Sequence, residues 1–315
     1  MGLILHLAAL FAVVWLSTSL LVGALTRSLD AQLASLEPHA RARLLLAALV
    51  APLAAGIVVV MGIAFPHQWL GLVDHCLDHP GHLHLCVVHG APIPHVIVFL
   101  LASLATLWTC LRLGTALNHA WRGARALGRV VEAARVEGEL RILPGHTPMA
   151  FTVGLVSPFV VVSEAVASEP ERWTAVLAHE RSHVQRRDPL ARWVAEALTA
   201  FHAPAVGAGL VARLRDAQEL AADEAAAGAL GCRIRVAETL VEWMRWRHAS
   251  GDAGVGFHSG PFSLRVRRLL DAETYRRGPS SFELLLFSIA LASTLCLAAL
   301  PLHHAVETVF GALHS

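Results

Sequence analysis

Two histidines four residues apart, with a glutamate beside the first, form the run Ala178-His179-Glu180-Arg181-Ser182-His183. Residues at that spacing share a helical face, so both imidazoles can address a single metal ion. Glu180, about 100° further round, can reach a water on that ion. This is the arrangement that zinc-dependent hydrolysis of a peptide bond requires. The composition would produce the pattern by accident with an expectation of about 0.06, so its context has to strengthen it.

A second pair supplies that context. In Gln218-Glu219-Leu220-Ala221-Ala222-Asp223 the two acids are again four apart, within an Ala/Leu-rich stretch. Glu219 could complete a His₂Glu set around one Zn²⁺, and Asp223 could accept a hydrogen bond from the second nitrogen of a ligating histidine. The plain alternative is a solvated face on which Glu219 and Asp223 pair with Arg215 or Arg213. Asp188 reads mainly as a helix end, and His202 either packs or supports the site.

The elements that must position these residues follow from local patterns. Leu140–Leu143, Phe151–Val153 and Phe159–Ser163 are β-rich apolar runs separated by Pro144-Gly145 and Ser157-Pro158. Ser168-Glu169-Pro170-Glu171 predicts a capped helix start, with the helix running to Arg187 and halted by Asp188-Pro189. Further helices are expected over Leu190–His202, Gly207–Ala229 and Cys232–Ala249. A Gly-rich linker follows at Gly251–Gly260, and then an Arg-bearing segment, Leu264–Leu270.

The remainder of the chain is written for lipid. Of its 315 residues 55% are hydrophobic and only 16% charged, with a mean hydropathy of +0.56, which does not fit a soluble globule. Apolar runs long enough to cross a bilayer occupy Leu3–Leu25, Leu44–Phe65, Val96–Leu117 and Phe282–Leu302. All 25 basic residues are arginine. Pro66–His95 has none, whereas Arg27, Arg41 and Arg43 flank the first connection and 21 lie between Asn118 and Ser281. The positive-inside rule then puts the N-terminus and Pro66–His95 outside and the 118–281 domain in the cytoplasm. Arg112 and His6 read as interfacial groups near span ends. The amphipathic pattern Trp121, Ala124, Leu127, Val130, Val131 predicts a separate helix lying on the membrane or the domain.

A net charge of +1 leaves no broad positive field, so direct nucleic-acid binding is not expected. Five cysteines without a C-x-x-C pair exclude a disulfide scaffold or zinc ribbon. The outer loop brings His75, Cys76, His79, His82, His84, Cys86 and His89 together. A Cys76–Cys86 disulfide and metal sensing by the histidines compete there. Cys110 and Cys296 fall in spans, and Cys232 is expected to pack.

The sequence resembles the BlaR1/MecR1-type membrane metallopeptidases of the M56 family. The resemblance rests on Ala150-Phe151-Thr152-Val153-Gly154, Ser157-Pro158 through Ser163, Val176 to His183, Arg187-Asp188-Pro189 and Glu219 to Asp223. It implies a mainly α fold of four transmembrane helices, with a cytoplasmic α+β gluzincin-type zinc metallopeptidase domain inserted between helices three and four. The corresponding units are 1–117, 118–281 and 282–315. It further implies one Zn²⁺ held by His179, His183 and Glu219, with Glu180 as general base and Asp223 behind the ligands. The implied home is the bacterial inner membrane, multi-pass. The implied substrate is a cytoplasmic DNA-binding repressor cleaved to relay an outside signal.

Arg181 departs from the family pattern by placing a charge inside the motif. With about a dozen residues after the fourth span, the penicillin-binding sensor of the antibiotic receptors is expected to be absent. An M48-like quality-control protease and a non-enzymatic metal-sensing membrane protein are the competing readings. Were Phe159–Ser163 an edge strand, an extended substrate could pair with it.

Overall fold

The computed structural model describes residues 2–64, 96–249 and 262–271, with Tyr275 and Gly278. The expected fourth span, the outer loop and its Cys76 and Cys86 lie outside the described residues.

Uninterrupted apolar sequence gives three helices long enough to cross a bilayer: α1 (Gly2–Ser28), α3 (Pro38–Ala64) and α4 (Val96–Ala133). The short α2 (Asp30–Ala34) lies between α1 and α3. At 1.5 Å per residue the 38 residues of α4 extend about 57 Å. A hydrocarbon core is only about 30 Å thick, so the Arg122–Arg129 half must project into water. The separate amphipathic helix expected after the third span is therefore the continuation of the span itself. Arg125 stacks 3.6 Å from the centre of the Trp121 ring on this exposed half.

Two expected interfacial groups are instead engaged inside the fold. His6 is buried in α1, beside the contacts of Ala9 with Val98 and Ala102. Arg112 Nη2 donates to Thr199 Oγ1 at 2.6 Å.

Beyond α4 the chain forms a four-stranded sheet of β1 (Arg135–Glu137), β2 (Leu140–Leu143), β3 (Ala150–Val153) and β4 (Phe159–Ser163). Its spatial order is β1-β2-β4-β3. β4 pairs in parallel with β2 and antiparallel with β3, and Val160, Val161 and Val162 are buried in it. The condition that Phe159–Ser163 be an edge strand is thus not met: a strand buried on both faces belongs at the centre, and β3 takes the edge. At the turn after β3, Gly154 has φ +100°, and a Cβ there would lie 2.7 Å from the Ser157 carbonyl oxygen.

Next come α5 (Glu164–Ala167), α6 (Thr174–Arg186), α7 (Asp188–Leu198), a 3₁₀ turn (Thr199–Phe201), α8 (Pro204–Leu230), α9 (Arg233–Ala249) and α10 (Phe262–Leu270). The expected cap at Ser168 is not used. Its hydroxyl bonds back to the Glu164 carbonyl at 2.7 Å, and α6 begins only at Thr174. Trp173 decides this: it is 1% exposed, meets Trp243 edge to face at 5.3 Å and fills the core against Ile142, Val160 and Val162. The chain must turn through 169–173 to bury that ring before the helix can start.

α8 joins the two halves of the molecule. Leu210, Val211 and Leu214 share a core with Leu45 and Leu49 of α3 and with Ala195 and Leu198 of α7. Within about two and a half turns of Leu214, the same helix carries Glu219 and Asp223.

Candidate metal centre

α6 packs between the sheet and α8, and its buried residues include His179, Glu180, Ser182 and His183 as well as Val176 and Leu177. The facing side of α8 is built from small residues, with Ala217, Ala222 and Ala226 fully buried. Without bulk between them the helices approach closely enough for short carboxylates to meet imidazoles.

The Nε2 atoms of His179 and His183 lie 3.2 Å apart. Glu219 Oε2 is 3.4 Å from His179 Nε2, and its Oε1 is 3.6 Å from His183 Nε2. One donor atom from each of the three residues falls within 4.8 Å of the others, and all three side chains are buried. A tetrahedral zinc with bonds of about 2.0–2.1 Å sets its ligand atoms about 3.3 Å apart, so the donor set suits that ion. The far nitrogen of each ring is held as well: His179 Nδ1 donates to Asp223 Oδ1 at 2.9 Å and His183 Nδ1 to Asp188 Oδ2 at 2.6 Å. Both Nε2 atoms are thereby aimed at the common point.

Asp188 is therefore more than a helix end. Arg187 adopts a left-handed conformation (φ 53°, ψ 40°), the single positive φ outside glycine among the described residues. That turn breaks α6 and swings Asp188 back under His183, where Arg186 Nη2 also donates to it at 2.9 Å. The neighbours expected on the solvated-face alternative are engaged elsewhere, Arg215 with Glu196 and Arg213 with Asp30. Glu219 instead accepts from Arg192 Nη2 at 2.8 Å and has Arg265 Nη1 at 3.2 Å. Arg265 also grips Asp223 through Nε at 2.7 Å and Nη2 at 2.6 Å. The local sequence gave no reason to choose Arg192. Arg265 carried a readable signal: it shares a face with Phe262, Val266 and Leu269, the apolar side of α10.

Electrostatics follow from this burial. Burial opposes a charge on His179, but its bonds to Asp223 and Glu219 prevail and push its pKa up to about 9. Burial holds His183 below its ordinary value despite Asp188. Burial likewise resists ionisation of Glu219 and Asp223, but the His179 and Arg265 charges keep Glu219 well below and Asp223 below the usual range.

Glu180 is 3% exposed, and Thr152 Oγ1 on the edge strand lies 2.8 Å from its Oε2 and 3.0 Å from its carbonyl oxygen. Thr152 also lines a cavity of about 710 Å³ between β3, α7 and α4, whose walls include Ala116, Ala120, Leu127, Phe151 and Trp193. Arg181 turns away from the centre to pair with Glu139, which is how a charge is accommodated inside the motif. His202 belongs elsewhere: Ser19 Oγ lies 3.1 Å from its Nδ1 and the Leu49 carbonyl 3.1 Å from its Nε2, so it locks α1 to α3. Cys110 and Cys232 are exposed thiols, so Cys232 does not pack as expected.

Residues 132–265 match the family model described as BlaR1 peptidase M56. That segment of the chain is similar to the M56 peptidases. The matched segment holds the whole sheet, the paired histidines, Glu219 and Asp223, and it ends on Arg265. No curated protein and no solved structure matches the chain. The match, with three helices able to span a bilayer, points to a membrane-associated metallopeptidase.

Proposed function

We propose that the chain is a zinc-dependent endopeptidase of the bacterial inner membrane that works on the cytoplasmic side and cleaves a DNA-binding transcriptional repressor. The reading is carried by one observation: two imidazole Nε2 atoms and the Glu219 carboxylate converge, with each ring aimed by its own buried carboxylate.

His179, His183 and Glu219 would hold one zinc ion, whose Lewis acidity activates water and polarises the scissile carbonyl. Glu180 takes the proton of the attacking water and returns it to the departing amine. Thr152 Oγ1, bridging the carboxylate and backbone of Glu180, keeps that side chain from swinging away. β3 pairs only with β4 among the described strands, so its outer edge can receive an extended substrate as an added strand. The cavity beside it leaves room for the substrate's side chains.

A second reading, quality control of membrane proteins, is favoured by one feature. The cavity's far wall is α4, continuous with a span, so segments close to the bilayer are within reach. Glu180→Gln in native membranes separates the alternatives. Capture of one DNA-binding protein supports signalling, and capture of many membrane proteins supports quality control. Cleavage that persists at the wild-type rate rejects the catalytic reading and leaves a metal-sensing protein.

A further inference from the structure

The last described helix also sends a side chain to the centre, where it meets Asp223 and Glu219. Arg265 is 3% exposed, a position an arginine takes only when its charge is matched. Its guanidinium spans two acids one helical turn apart on α8: Nε and Nη2 clasp both oxygens of Asp223, and Nη1 faces Glu219 Oε2. α10 is docked for this purpose by Phe262, Val266 and Leu269 against Ala226, Ala227, Val236 and Leu240. Arg233 secures the end of α10, donating to the Arg268 carbonyl at 3.2 Å while its Nη1 holds Glu224 Oε2 at 2.8 Å.

We infer that Arg265 is a positioning residue for the metal centre, a fork that fixes Asp223 behind His179 and Glu219 beside it in the geometry in which they can hold an ion. The inference rests on the metal reading above. Three features require it. Asp223 Oδ1 accepts from both His179 Nδ1 and Arg265 Nη2, so the carboxylate that aims the ring is itself aimed by the guanidinium. Two buried carboxylates on one turn repel each other unless a cation lies between them, and Arg265 is buried between them. Only a planar group with several fixed donors can hold both at once. A lysine brings the same charge on a single nitrogen and cannot clasp Asp223 by two oxygens while reaching Glu219.

The test uses the full chain purified in detergent, with zinc alone competed against a chromophoric chelator and cobalt alone followed by its visible absorption. Arg265→Lys and Arg265→Met should each weaken zinc binding about 10–100-fold, the usual range for residues that orient ligands. They should also reduce the intense tetrahedral cobalt band, with the helical circular dichroism signal retained. Because Arg265 acts in part through Asp223, Arg265→Met should weaken zinc by clearly less on Asp223→Asn than on the wild-type chain, the remainder coming through Glu219.

Wild-type affinity and an unchanged cobalt band in Arg265→Lys would show that charge alone suffices and overturn the inference. So would losses that simply multiply in the double variant. If Arg265→Met fails to fold, Arg265→Lys, which keeps the charge and most of the volume, decides. Wild-type chain that takes up neither metal sinks the metal centre and this inference together, whereas normal uptake by wild type and variants alike sinks only the fork.

Discussion

Asp188→Asn is the sharpest probe of how the centre is held. The substitution keeps the shape of the side chain and a carbonyl oxygen able to accept from His183 Nδ1, and it removes one negative charge. That charge is 4% exposed and receives the 2.6 Å bond from His183 and two donors of Arg186, at 2.9 and 3.2 Å. Hydrogen bonds to charged groups contribute about 1.5–3 kcal/mol, which at about 1.4 kcal/mol per decade corresponds to roughly 10- to 150-fold in affinity. Loss of ring orientation and loss of a negative charge beside a cation act in the same direction, so zinc binding should weaken by about that factor. At saturating zinc, most of the turnover should return, because the ring can still be placed. Chelator competition and peptide hydrolysis across a zinc titration measure both quantities. An affinity within about twofold of wild type would refute the claim that Asp188 aims His183 and return it to the role of a helix end.

Three further outcomes follow from the same geometry. His179 is raised from 6.5 to about 9, so its protonation stabilises the metal-free fold fully below pH 6.5 and that stabilisation, about 3 kcal/mol, is lost as pH rises through 9. Chelator-treated protein should therefore melt progressively lower across that window than zinc-loaded protein, and parallel curves would contradict the raised pKa of His179. Ala120→Trp should fill the cavity wall facing β3 and raise KM on the order of tenfold with zinc affinity unchanged, checked by steady-state kinetics and metal titration. Trp173→Ala should destabilise the core beneath the sheet by about 3–5 kcal/mol, read from denaturant unfolding, because its ring is 1% exposed there and packs against Trp243.

What the sequence by itself determined is what depends on short spacing. Four-residue intervals put His179 with His183 and Glu219 with Asp223 on common helical faces, because 3.6 residues make a turn whatever surrounds it. Apolar length marked α1, α3 and α4, and turn chemistry bounded three of the four strands. The tertiary structure alone decided which faces meet. Strand order put β4 inside and β3 at the edge, and Trp173 delayed the start of α6. The left-handed turn at Arg187 returned Asp188 to His183, and α10 brought Arg265 to carboxylates 42 and 46 residues earlier in the chain. Such choices rest on burial and charge pairing among residues far apart in sequence. Each side chain states its own chemistry, but only packing selects the partner with which it is shared.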